Sequence, residues 1–285
     1  MPMADKTSDP PARVLRDVNA RGVRMRVLEA GSGPALLLVH GFLVSHRSFD
    51  DIIDALAPRF HVIAPDLPGF GESEKPSPTR YPYGIEAFAE SMADLIAAFG
   101  VGRASVIGHG MGAAVALTLA AEHPELVTRL VVEDALCYPF PLSLRGRLPL
   151  LPVIGGAIFK QLYGRRTFRS YFRDEFFRPG AALPHERIDQ HYDFFNGPSA
   201  RESAYAVLRA ILDTRPIVAR ITRITTPTLV VWGRDDRIFP AASAQRLARE
   251  LPQAKLAILD AAHAPHEERP REFADLAAQF LEGKR

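Results

Sequence analysis

Between Pro34 and Gly41 the chain reads Ala35-Leu36-Leu37-Leu38-Val39-His40, with no polar side chain before the histidine. A run this short and this uniformly apolar fits a strand covered on both faces, because a strand with one wet face would alternate. Strands of that kind belong to parallel sheets, whose crossover helices cover both sides. The rest of the chain agrees. Two alternating extended runs (VLRDV and VRMRVLEA) precede it. After it come a helical stretch near Phe49 to Leu56, the strand HVIAP, a helix from about Ile85 to Phe99, the strand ASVIG, a helix from Met111 to Glu122, and the strand VTRLVVED. TLVVWG, a helix from about Ala241 to Leu251, KLAILD and a helix beginning near Pro270 complete the series. Eight strands alternating with helices predict an α/β fold, a mostly parallel eight-stranded sheet with helices on both faces.

The rhythm breaks between Tyr138 and Arg223. That stretch carries helical patterns, no parallel-strand signal and many aromatic residues, among them Phe140, Phe159, Tyr163, Phe168, Tyr171, Phe172, Phe176, Phe177, Tyr192, Phe194 and Phe195. The predicted organisation is a flexible tail over 1–13, a core of 14–137 plus 224–285, and a helical insertion over 138–223 that covers the sheet. The 285 residues, 47% hydrophobic and 24% charged, suffice for one such domain.

A formal net charge of +2 points to neither nucleic acid nor a membrane as partner. No apolar run of about 18 residues occurs, so no stable membrane insertion is expected. The single cysteine, Cys137, excludes a disulfide framework, and nothing near Met1 reads as a secretion signal; the expected address is the cytoplasm. Cys137 itself reads as a buried, inert thiol. No metal-ligand spacing and no nucleotide loop appear, so neither metal nor cofactor is expected. The oligomeric expectation is a monomer or homodimer.

Gly108-His109-Gly110-Met111-Gly112 lies between the strand ASVI and a helix. A tight glycine turn from strand to helix is where a G-x-S-x-G nucleophile stands, presented above the carboxyl end of a sheet. Gly108 and Gly112 let strand and helix pass closely, and Gly110 takes the strained middle position with least cost. A plain strand-to-helix connection or a phosphate loop is the alternative, although the spacing matches neither G-x-G-x-x-G nor a P-loop.

Other segments converge on the same end of the sheet. His40, Gly41 and Phe42 end a buried strand, where a backbone N–H can face the cleft and the Met111 N–H can join it around a developing oxyanion. His40 reads as a loop-fixing side chain. WGRDDRIFP offers Asp236 as the acid that orients a histidine, with Asp235 second and Asp134, at the end of VVED, a further alternative. LDAAHAPHEERP offers His263 as the base, with His266 a surface or loop-fixing residue. Ser45 and Ser48 read as polar caps, Ser48 for the helix that follows it.

The motifs HGF, DLPGFGES, GHGMG, WGRDDRIFP and AAHAPHEERP, in that order, resemble the α/β-hydrolase superfamily, in its capped branch, over Val14 to Leu281. The resemblance implies a Ser or Asp nucleophile at position 110, an oxyanion hole from the Phe42 and Met111 backbone, an acid at Asp236 and a base at His263, with His109 in the same loop. The sequence departs from the pattern at the nucleophile, where Gly110 offers no reacting atom. A covalent route through position 110 is therefore closed. Three readings stay open: general-base hydrolysis of an ester-like or carbon–carbon bond by His263, a serine hydrolase inactivated by substitution at Gly110, and a pseudoenzyme that binds a hydrophobic small molecule. The aromatic insertion suits a small hydrophobic substrate or serves as its own core. Arg165, Arg166, Arg169, Arg173 and Arg178 read as a solvated face, although arginines and aromatics together are also what a membrane-surface contact uses.

Overall fold

The computed structural model describes residues 12–142 and 144–284. Its framework is one eight-stranded sheet in the order β1-β2-β4-β3-β5-β6-β7-β8. The strands are β1 (Arg13–Ala20), β2 (Val23–Ala30), β3 (Ala35–Val39), β4 (His61–Pro65), β5 (Ala104–His109), β6 (Val127–Glu133), β7 (Thr228–Gly233) and β8 (Ala254–Leu259). β2 pairs antiparallel with both β1 and β4, and every later pairing is parallel. Each expected extended run is a strand. The tail expected over 1–13 lies outside the described residues except for Ala12 and Arg13, and Arg13 already pairs with Ala30.

Both faces of the central strands β3, β5 and β7 are buried, for the reason the ALLLV run suggested. Side chains alternate along a strand, so Leu37 and Val39 enter one apolar cluster while Leu36 and Leu38 enter another on the opposite face. β6 and β7 divide in the same way, with Leu130, Val132, Val230 and Trp232 on the first side and Val131, Leu229 and Val231 on the second. Helices α2 (Ile85–Ala98) and α3 (Met111–Glu122) cover the first face, and α1 (Asp50–Leu56) with the C-terminal helix Pro270–Leu281 covers the second. α3 is apolar nearly all round, with every residue from Met111 to Ala120 buried, because it lies on the sheet and beneath other helices at once.

Between β6 and β7 the described residues form helical elements only, including Arg165–Tyr171, His185–Phe195, Pro198–Ala210 and Arg215–Ile221. Their aromatic residues build a separate cluster in which Phe159, Phe168, Phe172, Phe176, Phe177 and Phe195 are buried. That cluster is closed from the sheet side by Leu43, Val44 and Ala264, from the loops after β3 and β8. No helix among the described residues is long and apolar enough to cross a membrane.

Candidate active site

β5 passes into α3 through a single residue, Gly110, at φ +56° and ψ −113°. Residues with a Cβ resist this conformation. The turn is held at both ends: the Gly110 N–H donates to the Glu133 carbonyl at 2.9 Å, and the Gly110 carbonyl accepts from Leu136 N at 3.0 Å. The flanking glycines are needed for space. A Cβ on Gly112 would stand 2.0 Å from the Val39 carbonyl oxygen, and one on Gly108 would stand 2.4 Å from the Gly112 carbonyl oxygen. At Gly110 there is room, since a Cβ would find His263 Nε2 at 3.4 Å and Gly41 Cα at 3.9 Å, both ordinary contacts.

His263 comes to this point from the loop after β8. Its N–H donates to the Phe176 carbonyl at 3.0 Å, its own carbonyl accepts from His109 Nε2 at 2.8 Å, and its ring sits edge-on to Phe176 and Phe239. Nδ1 lies 3.0 Å from Asp236 Oδ2. A carboxylate there fixes the tautomer with the proton on Nδ1, which leaves the Nε2 lone pair facing Gly110.

Asp236 is fully occupied. Its Oδ1 accepts from the N–H groups of Ile238 at 2.7 Å and Phe239 at 3.1 Å. Burial works to raise its pKa, but the charge and hydrogen bond of His263, the hydrogen bond from Asp134 and the Ile238 N–H together hold it below the ordinary carboxylate range. Asp134 shifts the opposite way. Burial, then the neighbouring Asp236 charge and the hydrogen bond to it, raise Asp134 well above the usual value, so it is the protonated partner and donates to Asp236. Its oxygens also accept from Gly233 N at 3.0 and 3.3 Å. Asp134, Asp236 and His263 offer ligand atoms within 4.8 Å of one another. The carboxylate oxygens are spent on one another, on His263 Nδ1 and on backbone N–H groups, and His263 Nε2 points away toward Gly110, so the set is a hydrogen-bonded chain rather than a cation cradle.

Asp235 does not face the histidine; it pairs with Arg178 at 3.1 Å on the outside. His40 is buried and fixed as a loop residue, with Nδ1 donating to the Gly41 carbonyl at 2.8 Å and Nε2 accepting from Leu67 N at 2.9 Å. Burial lowers its pKa to about 4, so it is neutral. His109 is likewise neutral, pushed to about 3 by burial and then by the charges of His266 and His263, and it serves the His263 backbone. His266 is not a surface residue. It is wholly buried, and its N–H and Nδ1 both meet Glu133 Oε1, at 2.8 and 2.9 Å. Glu133 went unread in the sequence; the available signal was a carboxylate closing the apolar run Leu130-Val131-Val132. Ser45 rather than Ser48 caps the turn after β3, its Oγ accepting from Arg47 N at 3.3 Å. Cys137 is buried, with its thiol on the Ala135 carbonyl and its pKa pushed up by burial.

A cavity of about 440 Å³ opens over the elbow. Phe42, Met111 and His263 form its floor with Leu136, and Phe140, Phe159, Tyr163, Phe168 and Tyr171 contribute apolar wall. The aromatic residues of the insertion therefore serve both as cavity lining and as a core of their own, Phe159 and Phe168 belonging to both. Among the described residues the N–H groups of Phe42 and Met111 find no hydrogen-bond acceptor. The Met111 N–H is also the first of a helix, where the backbone dipole favours negative charge. Arg165, Arg169 and Arg173 pair with Asp193, Asp189 and Asp174 on the exterior, and Arg178 with Asp235 and Asp260.

A mostly parallel eight-stranded sheet whose fifth strand turns sharply into a buried helix, with a histidine–aspartate pair brought to that turn, defines the α/β-hydrolase fold. The chain belongs to the alpha/beta hydrolase family, whose model matches residues 36–276. It is 30% identical over 289 residues to an uncharacterized protein of Mycobacterium tuberculosis, covering 96% of this chain and 82% of the relative. Haloalkane dehalogenase 2 of the same organism is 29% identical over 269 residues, covering 90% of each chain. Among solved structures, a serine hydrolase involved in carbazole degradation superposes with a TM-score of 0.78 at 27% identity, covering 95% of this chain and 99% of its own. Hydrolases are thus among its relatives.

Proposed function

We propose that this protein hydrolyses an ester-like or carbon–carbon bond in a small hydrophobic substrate without forming a covalent enzyme intermediate. Residues 138–223 act as a cap over the core, and the cavity beneath them takes the substrate. A water molecule in the room left by Gly110 is the nucleophile. His263 Nε2 takes its proton as the water oxygen bonds to the substrate carbonyl carbon, and the Phe42 and Met111 N–H groups hold the oxyanion. Collapse of the tetrahedral species expels the alkoxide or carbanion, which takes the proton back from His263. Asp236 keeps the ring in the required tautomer and stabilises the imidazolium.

One observation carries this reading: His263 Nδ1 is held by Asp236 at 3.0 Å while Nε2 faces the Gly110 position. Unlike the buried His266–Glu133 pair, which only ties the loop to β6, this carboxylate leaves the other ring nitrogen of its histidine open toward the cavity, as a general base requires. The test is turnover of a panel of activated acyl esters and β-diketones by the purified protein and by His263→Ala. Loss of turnover in the variant supports the reading. Equal rates in both would leave ligand binding in the same cavity as the better account. A serine hydrolase inactivated by substitution at Gly110 gives a third outcome, no turnover until serine is supplied.

A further inference from the structure

One surface feature lies outside the catalytic reading. Large aliphatic side chains are exposed at successive positions of the segment after β6: Leu148 is 41% exposed, Leu151 41%, Ile154 53%, and Val153 completely. Val153 also sits at φ +68°, a conformation that β-branched residues avoid. A lone exposed leucine needs no explanation, but four within seven residues form a protruding apolar ridge.

The charge around the ridge is one-sided. From residue 135 to residue 173 the sequence holds seven Arg and Lys and no Asp or Glu. Arg165, Arg169 and Arg173 are neutralised by Asp193, Asp189 and the adjacent Asp174. Among the described residues, Arg147, next to Leu148, Lys160, on the helical turn Ile158–Leu162 that packs against the ridge, and Arg166 have no carboxylate partner. Leu142, Gly146 and Pro149 of the same segment line the cavity above Gly110. One stretch of chain therefore carries apolar side chains into solvent on one side and walls the apolar cavity on the other.

We propose that residues 147–160 form a docking surface for an anionic lipid bilayer, with Leu148, Leu151, Val153 and Ile154 entering the headgroup–acyl boundary and Arg147 and Lys160 meeting lipid phosphates. An apolar ridge with unpaired cations beside it is complementary to such a surface in both polarity and charge. The contact is peripheral, and it places the cavity wall against the bilayer, from which an apolar substrate partitions.

The test uses the full chain in flotation assays and needs no turnover, so it stands or falls apart from the hydrolytic reading. Vesicles of phosphatidylcholine alone are compared with vesicles carrying about 30% phosphatidylglycerol, an anionic content that gives a substantial negative surface potential. Binding is expected to the anionic vesicles and to weaken with salt. Removing each cation, as in Arg147→Gln and Lys160→Gln, is expected to weaken it about fivefold. The pair Val153→Asp with Ile154→Asp is expected to abolish it, and Val153→Ser with Ile154→Ser, which add no charge, to reduce it about tenfold. All four positions are exposed, so circular dichroism should show unchanged folding. The proposal is overturned if neither vesicle is bound, if neutral and anionic vesicles bind alike, if the variants bind as the parent does, or if the ridge proves to pair two copies of this chain, seen as a dimer that Val153→Asp dissociates.

Discussion

His263 Nε2 stands 3.4 Å from the point where a Cβ on Gly110 would lie. A serine hydroxyl oxygen, one bond further out, reaches hydrogen-bond distance of that nitrogen by rotation about χ1. Gly110→Ser is therefore expected to create a covalent ester hydrolase. Of the roughly 10⁶-fold that a triad nucleophile supplies in a comparable system, a gain of about a hundredfold or more over the glycine form is expected, with a burst of leaving group. The backbone cost is separate. At φ +56° a side chain is strained, and the variant should lose about 1–2 kcal/mol in denaturant unfolding. A folded Gly110→Ser protein with no activity on a broad ester panel would remove position 110 from the chemistry.

Gly110→Ala separates backbone from chemistry. It carries the same strain and the same Cβ but no hydroxyl, and its methyl occupies the room assigned to the attacking water. Turnover by the glycine form should disappear in the alanine form, while the loss of stability should match that of the serine variant. An alanine variant that turns over as fast as the parent would sink the water-mediated route.

Asp236 and Asp134 differ in protonation, and this gives opposite expectations for the same substitution. Asp236→Asn should reduce turnover by about 10⁴, because an amide behind the histidine favours the wrong tautomer. Asp134→Asn should change turnover little, since the amide still donates to Asp236 and asparagine tolerates φ +43°. Stability then reports the proton. Asp134 has its folded pKa raised above the unfolded value by burial and by Asp236, so its contribution is complete below the ordinary carboxylate pKa and is lost as pH rises through the folded pKa. The parent should therefore lose ground to Asp134→Asn by about 1.4 kcal/mol per pH unit above pH 4, until Asp134 ionises. A difference in unfolding free energy that is flat with pH would show Asp134 to be ionised in the fold.

The contrast between these carboxylates also shows what a linear sequence conveys. Strands were legible because a run such as Leu36-Leu37-Leu38-Val39 has one plausible environment, and α3 was legible to its end residues because Gly110 and the His123-Pro124 step bound it. Asp235 and Asp236 are equivalent on paper. What divides them is the turn after β7, where the Ile238 and Phe239 N–H groups fold back on Asp236 and leave Asp235 to Arg178. Glu133 and His266 were harder still, because their pairing joins residues 133 positions apart and involves a backbone N–H as well as a ring. The same holds for the cap of the turn after β3. Ser45 and Ser48 are the same residue type, and it is Ser45 whose extended backbone and side chain meet Arg47 N at the start of the turn.

His191 provides a stability test away from the catalytic loop. It sits on the insertion's helix His185–Phe195, buried on the side facing the core, with Nδ1 3.3 Å from Ser45 Oγ. Burial first, then the charges of His40 and Arg187, lower its pKa to about 3, so it is neutral in the fold at every pH near neutrality. Unfolded, it takes a proton below about pH 6.5. The unfolded state thus binds the extra proton between those two values, and the stability that neutral His191 contributes is present above pH 6.5 and is lost as pH falls toward 3. His191→Gln cannot titrate and lacks this loss. The substitution should cost stability at pH 7.5, where a buried ring is replaced by a smaller chain. That cost should then shrink by about 1.4 kcal/mol for each pH unit below 6, as measured by urea unfolding of both proteins between pH 7.5 and 4.5. Parallel curves for the two proteins across that range would mean that His191 titrates in the fold as it does in water.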